Sequence, residues 1–206
     1  MNKRRLLLTS DGLSCDMKKL FFNIIGKEPE KAKILYIPTA GIATDSAREG
    51  IAICLHELSL MGIQYHNILV YNLELLLSEN YQRTYSAYIE ETLIITRLLT
   101  TEELKEFDAV VVSGGDSNVL CQEMRRTGFD RIIKQAIDSG LLYVGISAGS
   151  MYAASNLNEG LHIINNSIIP HWNGSILTEL PSDGSEICLA NGQCIYVEGN
   201  NIYLKQ

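Results

Sequence analysis

Apolar positions change period several times along the chain, and each change marks a predicted element. Residues 5–10 hold consecutive leucines and predict a short buried strand. Over residues 16–25 the apolar side chains Met17, Leu20, Phe21, Ile24 and Ile25 fall at helical spacing, and Gly26 can close that helix. Residues 32–38 are β-rich and end on Pro38. Helical spacing returns over 45–62 through Ile51, Cys54, Leu55, Leu58 and Met61, and residues 65–71 predict a third strand. Residues 72–100 give no clear period: apolar runs flank a polar, tyrosine-containing segment that suits a helix, a hairpin or both. Thr100-Thr101-Glu102-Glu103 then has the form of a helix start, with acidic residues in the first turn.

The second half has the strongest strand, residues 107–113, which runs directly into Gly114-Gly115-Asp116-Ser117-Asn118 and a helical segment. Residues 132–137 are helical, Gly140 ends that helix, and 141–146 form another near-continuous apolar run. It enters Ser147-Ala148-Gly149, and residues 151–154 suit a helix. Beyond residue 155 the pattern becomes short strands and turns. Strands apolar on both faces, alternating with helices, predict an α/β fold: a doubly wound, mostly parallel sheet covered by helices on each side. Such sheets place their sites beyond the carboxyl ends of the strands. No repeat or linker divides the chain, so a single domain over residues 1–206 is expected.

Charge narrows the partners. The chain has 206 residues, 46% hydrophobic, with a net charge of −7. Its densest basic stretches, Lys3-Arg4-Arg5 and Arg125-Arg126, are short, so neither nucleic acid nor an anionic membrane is an expected partner. Lys3, Arg4 and Arg5 precede only three leucines, too few for a signal peptide, and no window approaches the roughly 18 apolar residues of a membrane span. Cys15, Cys54, Cys121, Cys188 and Cys194 are odd in number and show no CxxC spacing, which favours reduced thiols in the cytoplasm over disulfides or zinc.

One segment has the pattern of a reactive centre. Gly145-Ile146-Ser147-Ala148-Gly149 is G-x-S-x-G between a predicted strand and a predicted helix, the context a nucleophile elbow requires. Glycines flank the serine because the chain must turn where side chains would collide. Ala148 can then offer its N–H to an oxyanion. Gly114-Gly115 lets backbone amides approach a ligand and can complete that hole. A phosphate loop is the weaker alternative there, since no G-K-[ST] follows and Asp116 would repel phosphate.

A serine nucleophile needs a base. His56 lies in a helical run, His66 at a strand start, and His162 in an alternating stretch where it reads as a strand side chain. His171 follows Ile168-Ile169-Pro170, which would hold an imidazole at a strand end, and it is the candidate base. For the third member, Glu159 sits in a turn-like Asn158-Glu159-Gly160, and Asp183, Glu186 and Glu198 are further acids downstream; the residues alone do not choose among them.

Together, residues 111–120, residues 143–150 and Ile169-Pro170-His171 resemble the peptidase E (aspartyl dipeptidase) family, the serine peptidase family S51 that includes cyanophycinases. Its fold is similar to class I glutamine amidotransferases, and Tyr36-Ile37-Pro38-Thr39-Ala40-Gly41 is also similar to the family's N-terminal half. The resemblance covers most of the chain, residues 72–100 least. It implies Ser147 as nucleophile, His171 as base, and the Gly115 and Ala148 amides as oxyanion hole. It offers two places for the acid: one near Glu159, the other on Asn191, where the family typically has an acid and this chain has an amide.

The chain also departs from aspartyl specificity. Such dipeptidases carry arginine after the histidine, whereas residues 135–204 contain no Lys or Arg. The expected activity is therefore serine-type hydrolysis of a small peptide or amide through an acyl-enzyme, with no metal or organic cofactor, since no HExxH spacing or clustered ligands occur. A homo-oligomer is allowed. The alternative is a non-peptidase member of the fold, either a small-molecule binding or regulatory protein or a hydrolase of another amide. A glutaminase would need cysteine where Ser147 stands, and the loop after the first strand is a poor phosphate loop for a nucleotide-binding flavodoxin-like module.

Overall fold

The computed structural model describes residues 3–13, 17–42, 45, 48–76, 97–181 and 185–205. In chain order the strands are β1 (Arg5–Thr9), β2 (Ile34–Ile37), β3 (Ile68–Val70), β4 (Ala109–Val112), β5 (Leu142–Ile146), β6 (Ile168–Ile169), β7 (Ile187–Cys188), β8 (Cys194–Glu198) and β9 (Asn201–Lys205). The helices are α1 (Lys18–Ile25), α2 (Thr39–Ile42), α3 (Arg48–Leu60), α4 (Thr101–Leu104), α5 (Ser117–Thr127), α6 (Phe129–Asp138) and α7 (Ala148–Ala153).

Seven strands form one sheet in the order β3-β2-β4-β5-β1-β8-β9. The first five are parallel to one another; β8 runs antiparallel to β1, and β9 antiparallel to β8. Strand residues divide between two cores by alternation: Leu6, Leu8, Leu35, Ile37, Val110 and Val112 enter one face's cluster. Leu7, Ile34, Tyr36, Ala109 and Val111 enter the other. Both faces are covered, which is why these strands read as unbroken apolar runs rather than alternating ones. This is the α/β sheet expected from the sequence. Among the described residues no helix is long and apolar enough to cross a membrane.

Local chemistry explains most of the boundaries. Gly26 takes a left-handed conformation (φ 67°) and caps α1, donating its N–H to the Phe22 carbonyl. The strand predicted from residue 65 begins later, because Tyr65–Asn67 wind into a 3-10 turn. Within the poorly legible stretch, Leu73–Leu75 form a 3-10 turn, while residues 77–96 lie outside the described residues. Thr100 caps α4 in a reciprocal box with Glu103, as its sequence predicts. His162 is not a strand side chain. It lies in an irregular segment at φ 49°, exposed, with Nε2 3.2 Å from the Asn158 carbonyl.

Topology brings three adjacent parallel strands, β4, β5 and β1, to one edge, where their carboxyl ends lead into residues 113–115, Ser147 and residues 10–11. Because β8 is antiparallel to β1, with Cys194 paired to Thr9, the turn before β8 arrives at the same edge. The short parallel pair β6–β7, with Ile169 opposite Cys188, then runs Pro170-His171 alongside residues 189–191.

Candidate active site

Ser147 sits between β5 and α7 with φ 47° and ψ −105°, a conformation few non-glycine residues adopt. The flanking glycines are sterically required. A Cβ on Gly145 would lie 2.7 Å from the Gly149 carbonyl carbon, and one on Gly149 would lie 2.4 Å from the Val112 carbonyl oxygen. Hydrogen bonds hold the turn. Ser147 donates its N–H to the Thr9 carbonyl at 3.1 Å, and the buried Tyr143 hydroxyl donates to the Gly149 carbonyl at 2.7 Å. The buried Ser150 hydroxyl lies 2.8 Å from the Thr9 carbonyl and 2.7 Å from that of Gly145, tying α7 back to β1 and β5.

His171 faces this serine. Its Nε2 is 3.1 Å from Ser147 Oγ, and its Nδ1 is 3.0 Å from Asn191 Oδ1. A carbonyl oxygen at Nδ1 puts the proton there and leaves the Nε2 lone pair toward the serine hydroxyl. The backbone at His171 also has positive φ, 54°, held from both sides: its N–H donates to Ser10 Oγ at 2.7 Å, and the Trp172 N–H donates to the Leu189 carbonyl at 3.0 Å. Ser10, fully buried, donates its own hydroxyl to that same Leu189 carbonyl at 3.0 Å.

Glu159 is not brought to the imidazole. It forms an ion pair with Arg125 of α5, and both side chains are about half exposed. The turn carrying it is fixed onto α7 by the Leu161 N–H donating to the Tyr152 carbonyl, and it faces α5 instead of the histidine segment. Of the other acids, Glu198 pairs in register with Arg5 at the opposite end of β1, and Asp183 lies outside the described residues. His56 and His66 are exposed, on α3 and in the 3-10 turn. The residue behind His171 is therefore Asn191. The pairing of β6 with β7 puts it there, and no local sequence pattern signals such pairing.

The amides of Gly115 and Ala148 have no acceptor among the described hydrogen bonds. Gly115 adopts φ 132°, and a Cβ there would lie 2.1 Å from the Ala40 carbonyl oxygen, so only glycine fits. A Cβ on its neighbour Gly114 would stand 3.2 Å from Ser147 Cβ, which shows how closely this loop covers the serine. Asp116 spends its carboxylate on the end of α5, with Oδ1 accepting from the Asn118 and Val119 amides. Ser147 and His171 open into a cleft of about 260 Å³ that the buried Cys54 also lines. Burial pushes the Cys54 thiol up to about 12, so it stays protonated at neutral pH. Among the described residues no group of His, Cys, Asp and Glu could hold a metal ion.

The sequence model of peptidase family S51 matches residues 90–204, more than half of the chain. This chain belongs to peptidase family S51. An uncharacterized peptidase of Listeria monocytogenes is 28% identical over 145 residues, covering 57% of this chain and 71% of that protein. The PdxT subunit of pyridoxal 5'-phosphate synthase from Nitrosopumilus maritimus is 37% identical over 60 residues, 29% of each chain. A crystal structure from Listeria monocytogenes EGD-e, proposed to be a peptidase E, superposes with a TM-score of 0.62 at 23% identity and covers 98% of both chains. The fold of this S51 peptidase is thus the one it shares with peptidase E and the class I glutamine amidotransferases. S51 membership assigns a peptidase-type hydrolase.

Proposed function

We propose that this S51 peptidase is a serine-type hydrolase that cleaves a small peptide or amide through an acyl-enzyme. The observation that carries the reading is the linear relay Ser147 Oγ, His171 Nε2, His171 Nδ1, Asn191 Oδ1, with steps of 3.1 Å and 3.0 Å. Ser147 Oγ attacks the scissile carbonyl carbon while His171 Nε2 takes the hydroxyl proton. The carbonyl oxygen becomes an oxyanion between the Gly115 and Ala148 amides. Collapse breaks the C–N bond, and His171 returns the proton to the departing amine. Water then attacks the acyl-Ser147 ester with His171 as base, releasing the acid and restoring the hydroxyl. Asn191 keeps the imidazole in the tautomer that can accept from serine. Cys54, buried and protonated, is a poor competitor for the nucleophile's role.

A fluorophosphonate probe combined with Ser147→Ala tests this reading. The wild-type protein is expected to lose activity toward a dipeptide panel as residue 147 becomes labelled, and Ser147→Ala is expected to show neither labelling nor turnover. Equal hydrolysis by the two proteins would refute it.

A further inference from the structure

The wall of the Ser147 cleft contains two carboxylates, Asp11 and Glu57. Each is half engaged: Asp11 Oδ1 accepts from the Gly192 amide at 2.8 Å, and Glu57 Oε2 accepts from the Leu13 amide at 2.9 Å. A carboxylate accepts through both oxygens, and among the described residues Asp11 Oδ2 and Glu57 Oε1 have no donor. The same wall carries Ser113, only 4% exposed, whose hydroxyl has no hydrogen-bond partner among the described residues. Buried hydroxyls are normally paired, so an unpaired one on a residue that lines the cleft is a spare polar group beside it. No described Lys or Arg lines the cleft, and residues 135–204 contain none.

The geometry points to a substrate that carries a cationic nitrogen beside its scissile carbonyl, held by Asp11 and Glu57 with Ser113 as an added hydrogen-bond partner. This rests on the proposed function, whose Ser147 and His171 share the cleft, and it specifies what that site accepts. Two like charges in a recess concentrate the opposite charge and repel an acidic side chain. At about 260 Å³ the recess holds about one residue and the start of the next, which suits a very small peptide. The cation can be a free α-amine or a basic side chain, and both present the same chemistry to the two carboxylates.

Calorimetric binding to the Ser147→Ala protein separates these cases without turnover. The ligands are Ala-Ala, N-acetyl-Ala-Ala, N-acetyl-Arg-Ala and N-acetyl-Asp-Ala. At least tenfold tighter binding of Ala-Ala than of N-acetyl-Ala-Ala identifies the α-amine; the same margin for N-acetyl-Arg-Ala identifies the side chain. Glu57→Gln and Asp11→Asn, each added to that protein, keep an acceptor for the Leu13 and Gly192 amides. Each is expected to reduce that margin by weakening the cationic peptide more than N-acetyl-Ala-Ala. Equal affinities, tightest binding of N-acetyl-Asp-Ala, or no binding of either cationic peptide would overturn the inference. Failure of Ser147 labelling in the wild type would instead strike the proposed mechanism and leave these binding results standing.

Discussion

His171 has its two ring nitrogens committed to different partners, Ser147 on one side and Asn191 on the other. An amide oxygen at Nδ1 orients the ring as a carboxylate would, but in the proposed mechanism it would meet the imidazolium with a dipole instead of a full charge. Hydrogen bonds between ionised partners are roughly twice as strong as neutral ones. Asn191→Asp is therefore expected to raise kcat by about tenfold, the equivalent of about 1.4 kcal/mol in the barrier, with KM unchanged. Asn191→Ala should lower kcat about 10- to 100-fold. Glu159, tied to Arg125, should matter little: Glu159→Gln is expected to keep kcat within about twofold. Steady-state kinetics on one peptide substrate reads all three, and a large loss in Glu159→Gln with none in Asn191→Ala would reverse the assignment.

Short elements set the precision of the site and also part of the stability. Strands β6 and β7 have two residues each, yet their parallel register, with Ile169 opposite Cys188, fixes which residues beyond them meet. Helix α4 is a single turn defined by its cap: the Glu103 N–H donates to Thr100 Oγ1, and the Thr100 N–H donates to Glu103 Oε2. Thr100→Ala should cost about 1 kcal/mol in urea unfolding and leave activity unaltered. The Arg97 guanidinium, and after it the Thr100 amide, hold the Glu103 carboxyl down at about 2. A folded-state value below the ordinary carboxylate one means that the contribution is complete above about pH 4.3 and is lost as pH falls toward 2. Glu103→Gln should accordingly flatten the stability profile across that acid window, while the two proteins differ by a constant amount at neutral pH.

At the scale of the molecule, the site is a meeting of chain ends that lie far apart in sequence. Ser10 at the end of β1 accepts from the His171 amide and donates to the Leu189 carbonyl, and its Oγ is 3.4 Å from Asn191 Oδ1. One buried hydroxyl thus joins β1, the histidine segment and the turn that carries Asn191. Ser10→Ala leaves the His171 amide without an acceptor, at a cost of about 1–3 kcal/mol. It should lower kcat at least tenfold with a much smaller change in KM, because the imidazole is displaced while the cleft wall is intact. Ser10→Thr, which keeps the hydroxyl, should recover part of kcat. Loss of stability with kcat unaffected would make Ser10 a structural residue only.

Periodicity and local chemistry were sufficient for much of this protein. Apolar strands alternating with helical spacing specified a mostly parallel sheet covered on both faces. Gly145, Ser147 and Gly149 specified the turn at the end of β5, because the turn itself and the Gly145–Gly149 approach are local, although Gly149 is also needed for its approach to Val112 on β4. The strand end at Pro170 made His171 the candidate base, and the resemblance to peptidase E supported it and offered both Glu159 and Asn191 as its partner. Choosing between them needed the pairing of β6 with β7 and the reversal of β8 against β1, which are long-range register choices that leave no local pattern. The same holds for Ser10, an unremarkable strand-end serine in sequence, and for Asp11 and Glu57, which lie 46 positions apart yet wall one cleft. Sequence alone determined the sheet and the serine at its edge; tertiary structure decided which side chains, from β1, α3 and the last turns, surround it, because packing brings together groups that the chain itself keeps apart.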